Sequence, residues 1–140
     1  FDVPFAITYF YNVYGEREIS EGKYATLIAL FKNKYLSGEK LTVVSPGTQK
    51  RDFTYIDDIV DGLVLVGENG YGDEFGIGSP DSYSIIEIAE MFGTEIEMLP
   101  ERKGNRMTAE VVTLKTETLG WIPKFSVVNY IRDIVCVNKA

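Results

Sequence analysis

Residues 3–10 read VPFAITYF, a near-continuous apolar and β-branched run. A strand with one wet face alternates polar and apolar residues. An unbroken run marks a strand buried on both faces, as in the middle of a parallel sheet. Such a strand needs a neighbour on each side, and parallel neighbours are reached only through long crossovers. Residues 74–77 are the evident parallel partner downstream, and no other segment supplies the second. The pattern therefore predicts the second half of a larger sheet protein, against the alternative of an amphipathic edge strand. The chain opens on Phe1 rather than methionine, which agrees with that expectation, although a length of 140 residues suits one ordinary domain.

Strand and helix signals alternate along the rest of the chain. Tyr24, Leu27, Ile28, Phe31 and Tyr35 fall on one helical face that Gly38 ends. Residues 41–44 form a short strand and residues 53–55 another. Asp57 reads as an N-cap, followed by a helix with Ile59, Val60, Leu63 and Val64 as its apolar face. The strand at 74–77 stops at the turn cluster Gly78-Ser79-Pro80-Asp81. Ser84 and Glu87 fit a capping box, which opens a helix to about Phe92. Residues 95–99 alternate like a strand, and residues 113–119 form a short helix closed by Gly120. Ser126 caps a last helix with Val127, Val128, Ile131, Ile134 and Val135 on its face. This is an α/β chain.

Composition narrows the chemistry. The chain has 14 basic and 21 acidic residues, a net charge of −7, which argues against a nucleic-acid or anionic-membrane surface. It contains no histidine, so Ser-His-Asp and Cys-His catalysis and histidine metal sites are excluded. Cys136 is the single cysteine; it forms no intrachain disulfide and reads as a packing residue among apolar neighbours. No signal peptide, glycosylation sequon or apolar stretch of the ~20 residues a membrane span requires is present. A reducing, cytoplasmic setting is expected.

Several chemical signatures are absent. There is no Gly-x-Gly-x-x-Gly turn, no Walker A pattern, and none of the nine tyrosines has a lysine four residues later. Asp57, Asp58 and Asp61 offer carboxylates, but at a helix start they suit the helix dipole better than a metal. The positive signal is basic. Arg102, Lys103 and Arg106 crowd one loop, and Lys50 with Arg51 form a second spot. Two such loops suit either a clamp on a phosphorylated ligand, where the arginine fork holds oxygens bidentately, or plain solvated surface. Asn12 lies just past the first strand's C-terminal end, where open α/β sheets bind ligands; a simple turn containing Asn12 and Gly15 is the alternative.

Four motifs occur in order: Tyr11-Asn12-Val13-Tyr14-Gly15, then residues 49–58 (QKRDFTYIDD), then Arg102-Lys103-Gly104-Asn105, then Leu119-Gly120-Trp121-Ile122-Pro123-Lys124. Together they resemble the C-terminal part of the extended short-chain dehydrogenase/reductases, specifically the NAD-dependent nucleotide-sugar epimerases and dehydratases, in particular the UDP-glucose 4-epimerase-like members. The resemblance implies an α/β fold: the C-terminal part of a Rossmann-like parallel-sheet protein plus its small substrate-binding α/β subdomain, spanning 1–140. It implies that Asn12, Arg51 and Arg102 hold the substrate diphosphate, that Val44 lies against the base, and that Asn105 takes the place of a ribose-binding aspartate. Phe10 and Tyr11 correspond to residues beside the nicotinamide end of NAD. The implied partner is a nucleotide-diphosphate sugar, and the implied parent is a homodimer.

The chain departs from that family at Tyr9, Ser45 and Val112, where Arg, Gly and Asp are usual. In the family, the Gly-rich NAD turn and the catalytic Ser/Thr and Tyr-x-x-x-Lys group lie N-terminal to this region, and none is present here. No catalytic residue is therefore expected in this chain, and the chain alone is expected to be inactive. A dehydratase or reductase of the same family, or a non-catalytic binding module, are the alternative readings.

Overall fold

The computed structural model describes residues 3–101 and 112–139. In chain order the elements are β1 (Ala6–Tyr9), β2 (Val13–Tyr14), α1 (Leu27–Leu36), β3 (Leu41–Val44), β4 (Lys50–Asp52), β5 (Thr54–Tyr55) and α2 (Ile56–Asn69). Then follow β6 (Gly72–Gly76), β7 (Ser82–Ser84), α3 (Ile85–Met91), β8 (Ile96–Leu99), α4 (Leu114–Thr118) and α5 (Val127–Lys139). The described strands pair two by two. β1 with β6, β2 with β5 and β3 with β8 are parallel, and β4 with β7 is antiparallel. The architecture is thus α/β with helical crossovers between parallel partners, as the alternating signals predict.

The expected partnership of the first strand with the 74–77 region is present. Thr8 pairs with Phe75 and Tyr9 with Gly76, and the Ile77 N–H donates to the Tyr9 carbonyl at 2.8 Å. The strand is not buried on both faces, however. Among the described residues it pairs only with β6, and Val3, Phe5, Ile7, Tyr9 and Phe10 are all exposed. Burial on both faces needs cover that the described residues do not supply.

The main core lies between α1, α3, α5 and the β3–β8 pair. Ile28, Phe31, Leu41, Val43, Phe92 and Ile131 are buried there. Phe31 meets Phe92 edge to face, with centroids 6.2 Å apart. Val127 and Ile131 anchor α5, with Val128, Ile134 and Val135 packed beside them, as the periodicity predicts. Cys136 is exposed, so the packing role expected for it is not realised; it falls on the polar side of α5. Tyr24 likewise stands outside α1 and is exposed, because the helix starts only after its N-cap Thr26. At the other end Gly38 adopts φ +72°, a left-handed conformation that closes the helix at low steric cost.

A second cluster joins α2 to the C-terminal segment through Ile59, Ile77 and Trp121. The N-cap of α2 is Tyr55 rather than Asp57, which sits in the first turn beside Asp58. The buried face is also rotated from the expected one: Asp58, Ile59, Gly62 and Val66 point inward, while Val60, Leu63 and Val64 are exposed. Gly62 explains the rotation, since a Cβ there would lie 2.9 Å from Ile77 Cγ2 and 3.0 Å from Trp121 Nε1. The close approach of helix and indole selects this face despite the apolar residues on the other.

Candidate functional site

β1 ends at Tyr9 and the chain passes through Phe10 and Tyr11, both exposed, into Asn12. Asn12 has φ 50°, a left-handed conformation that asparagine tolerates better than most residues. The bend turns the chain into β2. The Asn12 carbonyl accepts from the Thr54 N–H at 3.3 Å, which ties the bend to β5. Thr54 is buried, and its Oγ1 accepts from the Ser79 N–H at 2.9 Å. Thr54 thereby joins, through its backbone N–H and its hydroxyl, the turn after β1 to the turn after β6, and both lie at the C-terminal ends of parallel strands. That is the end of an α/β sheet at which ligands bind.

Arg51 reaches this neighbourhood along the chain, three residues before Thr54. It lies on β4 opposite Tyr83 of β7, half-buried, with Nη1 donating to the Lys50 carbonyl at 2.6 Å. Burial raises the pKa of the Tyr83 hydroxyl, with Asp81 and Glu87 adding to the shift, so the ring opposite Arg51 stays neutral. Lys50 is exposed. The loop between β3 and β4 is fixed from behind: the Gly47 and Gln49 carbonyls accept from the Ile86 and Ile85 N–H groups at 3.0 and 3.2 Å. Gln49 is buried with its Oε1 lacking a partner among the described residues.

Val44 closes β3, half-buried and paired with Leu99, on a different strand pair from Asn12 and Arg51. Arg102 and Asn105, with Lys103 and Arg106 of the same basic loop, lie outside the described residues. The structure therefore groups Phe10, Tyr11 and Asn12 at one strand end and links them to the segment carrying Arg51. Thr54, Ser79 and Tyr83 are the positions that sequence reasoning did not single out. Thr54 sits inside the 49–58 motif, but its role as a staple depends on a partner 25 residues away, which no local pattern reveals.

Two of the three carboxylates at the start of α2 have other work. Asp58 is buried, and its oxygens accept from the Lys124 and Phe125 N–H groups at 2.9 and 3.0 Å. The Trp121 indole N–H donates to the Asp58 carbonyl at 2.9 Å. Asp61 pairs with Lys124 Nζ at 2.5 Å. The motif at 119–124 is thereby clamped to α2. Tyr9 and Val112, two of the departures noted in the sequence, meet at one cavity of about 620 Å³ with Tyr11, Asp73, Glu74 and Lys115. A hydrogen bond with Asp73 raises the pKa of the Tyr9 hydroxyl.

Comparison with known proteins bears on these motifs. The NAD dependent epimerase/dehydratase family matches residues 1–78. UDP-glucuronic acid decarboxylase 5 of Arabidopsis thaliana is 34% identical over 130 residues, covering 87% of this chain and 37% of that protein. The UDP-glucose 4-epimerase of Thermotoga maritima, solved with UDP-glucose, superposes with a TM-score of 0.85 at 28% identity, over 98% of this chain and 46% of that one. The UDP-glucuronic acid 4-epimerase of Bacillus cereus, solved with UDP-glucuronic acid and NAD, gives 0.81 at 26% identity, over 97% and 46%. The chain thus spans less than half the length of these relatives, and its fold matches the C-terminal portion of the Rossmann-like epimerase structures. With more than half of its residues inside that family's pattern, the chain belongs to the NAD-dependent epimerase/dehydratase family.

Proposed function

We propose that this chain is the nucleotide-sugar-binding portion of an NAD-dependent nucleotide-sugar epimerase, with a UDP-linked sugar as ligand. The observation that carries the reading is the Asn12–Thr54–Ser79 assembly, which fixes a polar bend at the strand ends within the family-matched segment. In this reading Asn12 and Arg51 hold the diphosphate, Arg102 adds a second guanidinium, Asn105 contacts the ribose and Val44 flanks the base. Arginine suits the diphosphate because its donors match two oxygens at once. The uridine moiety is favoured because the similar proteins named above all act on or carry UDP-sugars.

NAD supplies hydride transfer in such enzymes. The residues present fit only one wall of its site. Phe10 and Tyr11 present exposed rings past the end of β1, but the sequence has no Gly-rich strand–turn–helix to take a pyrophosphate. This chain by itself does not make an NAD site. We assign the cofactor to a part of the parent that lies N-terminal to residues 1–140. The one-sided pairing of β1 among the described residues and the exposed apolar stripe Val60, Leu63 and Val64 support a further α/β layer there.

Similarity to UDP-glucuronic acid decarboxylases favours a second reading, in which the sugar is a uronic acid. Calorimetric titration with UDP-glucose and UDP-glucuronic acid separates the two by which binds more tightly. Purified chain supplied with NAD is expected to turn over neither. Turnover, or failure to bind either nucleotide sugar, would overturn the proposal.

A further inference from the structure

α1 and α5 line a cavity of about 710 Å³ to which the motifs contribute Tyr14, Tyr55 and Lys124 but not Asn12, Arg51 or Val44. Its floor is aromatic. Tyr55 and Phe125 lie with ring centroids 4.5 Å apart, and Tyr14 stands 5.3 Å from Tyr55 and 5.1 Å from Tyr130. Leu36, Ile134 and Val137 continue the apolar lining.

Three donors surround this surface. Lys32 Nζ donates to the Tyr130 hydroxyl at 3.3 Å and lies 5.4 Å from the centre of that ring. Because the Tyr130 oxygen accepts from the ammonium, its own proton is left to donate. The Tyr14 hydroxyl is buried and has no partner among the described residues. Burial raises its pKa, with Asp58 and Tyr55 adding to the shift, so it remains a donor. Partial burial works against the charge on Lys32, but Tyr130 and Glu16 outweigh it, and the net shift is upward. The ammonium stays charged.

Glu16 indicates what this ammonium attracts. Its carboxylate comes from an exposed loop and stands 3.7 Å from Lys32 Nζ, with the Glu16 side chain 70% exposed and the Lys32 side chain 26% exposed. A mostly exposed carboxylate occupies the cation beside an aromatic wall. The second lysine at the cavity, Lys124, is committed to Asp61 at 2.5 Å. Asp133 lines the same cavity. Among the described residues, one cation not held by Asp61 stands beside two carboxylates, which disfavours a multiply charged anion such as a phosphate.

We propose that this cavity binds a small organic carboxylate with a flat apolar body, which displaces Glu16 from Lys32 and lays its body against Tyr55 and Phe125. The test uses benzoate on the 140-residue chain, followed by ligand-observed NMR, with benzamide as the neutral control. Benzoate is expected to bind and benzamide much less. Lys32→Met is expected to weaken benzoate about 10-fold, the worth of a charge-assisted hydrogen bond, and Tyr14→Phe about three-fold. Glu16→Gln, a change on an exposed side chain, is expected to tighten binding by removing the internal competitor. Circular dichroism of each variant confirms that it folds; if Lys32→Met fails to fold, Glu16→Gln and Tyr14→Phe decide. Absent benzoate binding, equal binding of benzamide, or weaker binding by Glu16→Gln would overturn the proposal. So would displacement of benzoate by UDP-glucose, which would assign it to the nucleotide-sugar site.

Discussion

Asp58 carries more of the fold than any carboxylate on an exposed helix can. It takes two backbone N–H groups from Lys124 and Phe125 while its own carbonyl takes the Trp121 indole. Removing the carboxylate strands two part-buried backbone donors. Asp58→Ala is therefore expected to cost about 3 kcal/mol or more by urea denaturation, and Asp58→Asn, which keeps one acceptor, about half of that. Equal stability of Asp58→Ala and the wild type would refute this clamp. Ser84 offers a smaller case. Its hydroxyl accepts from the Glu87 N–H at 3.2 Å while Glu87 Oε2 accepts from the Ser84 N–H at 2.7 Å. The backbone N–H of Ser84 holds the Glu87 carboxyl below the usual glutamate range. A depressed folded pKa means that this stabilisation is present above the unfolded value and is lost as pH falls through the folded one. Glu87→Gln is expected to remove that part of the acid dependence of thermal unfolding. An unchanged pH profile in the variant would contradict the assignment.

At the scale of elements, local chemistry was legible and partner-dependent burial was not. The capping box that starts α3 is written in two residues three apart, so the sequence places it correctly. Residues 41–44 and the apolar stripe of α5 were equally readable, because their periodicity and their burial agree. The face of α2 was not. Val60, Leu63 and Val64 look like a core face, yet the helix turns Asp58 and Gly62 inward because Trp121 and Ile77 approach there. An apolar stripe shows that something is to be covered, not that this chain covers it. The site followed the same rule. Asn12 and Arg51 stood out by residue type and motif, whereas Thr54 emerged only when the two turns it joins were seen together. Its hydroxyl should therefore matter more than its methyl. Thr54→Val keeps the volume and β-branching and is expected to cost about 1–3 kcal/mol, the penalty for leaving the buried Ser79 N–H unpaired. A loss near zero would show that the two turns are held by other means.

At the scale of the whole molecule, the described residues leave one flank of the parallel pairing unfilled. Among the described residues β1 pairs on one side only, and Phe5, Ile7, Val60, Leu63 and Val64 are exposed. Exposed apolar edges of this kind template association. The purified chain is expected to self-associate, and the pair Ile7→Lys with Val64→Asp to shift sedimentation toward monomer without lowering the melting temperature. Persistence of the same oligomers in that variant would show that this flank is not the contact. The central claim, that the remaining surface holds a nucleotide sugar, depends on a different place. Its most direct measurement is the affinity of UDP-glucose for the wild-type chain and for Arg51→Ala, with circular dichroism as the control for folding. The account predicts measurable binding that weakens about 10-fold or more in Arg51→Ala, the worth of one charge-assisted contact to phosphate. Binding that is absent, or that survives the substitution unchanged, would contradict it.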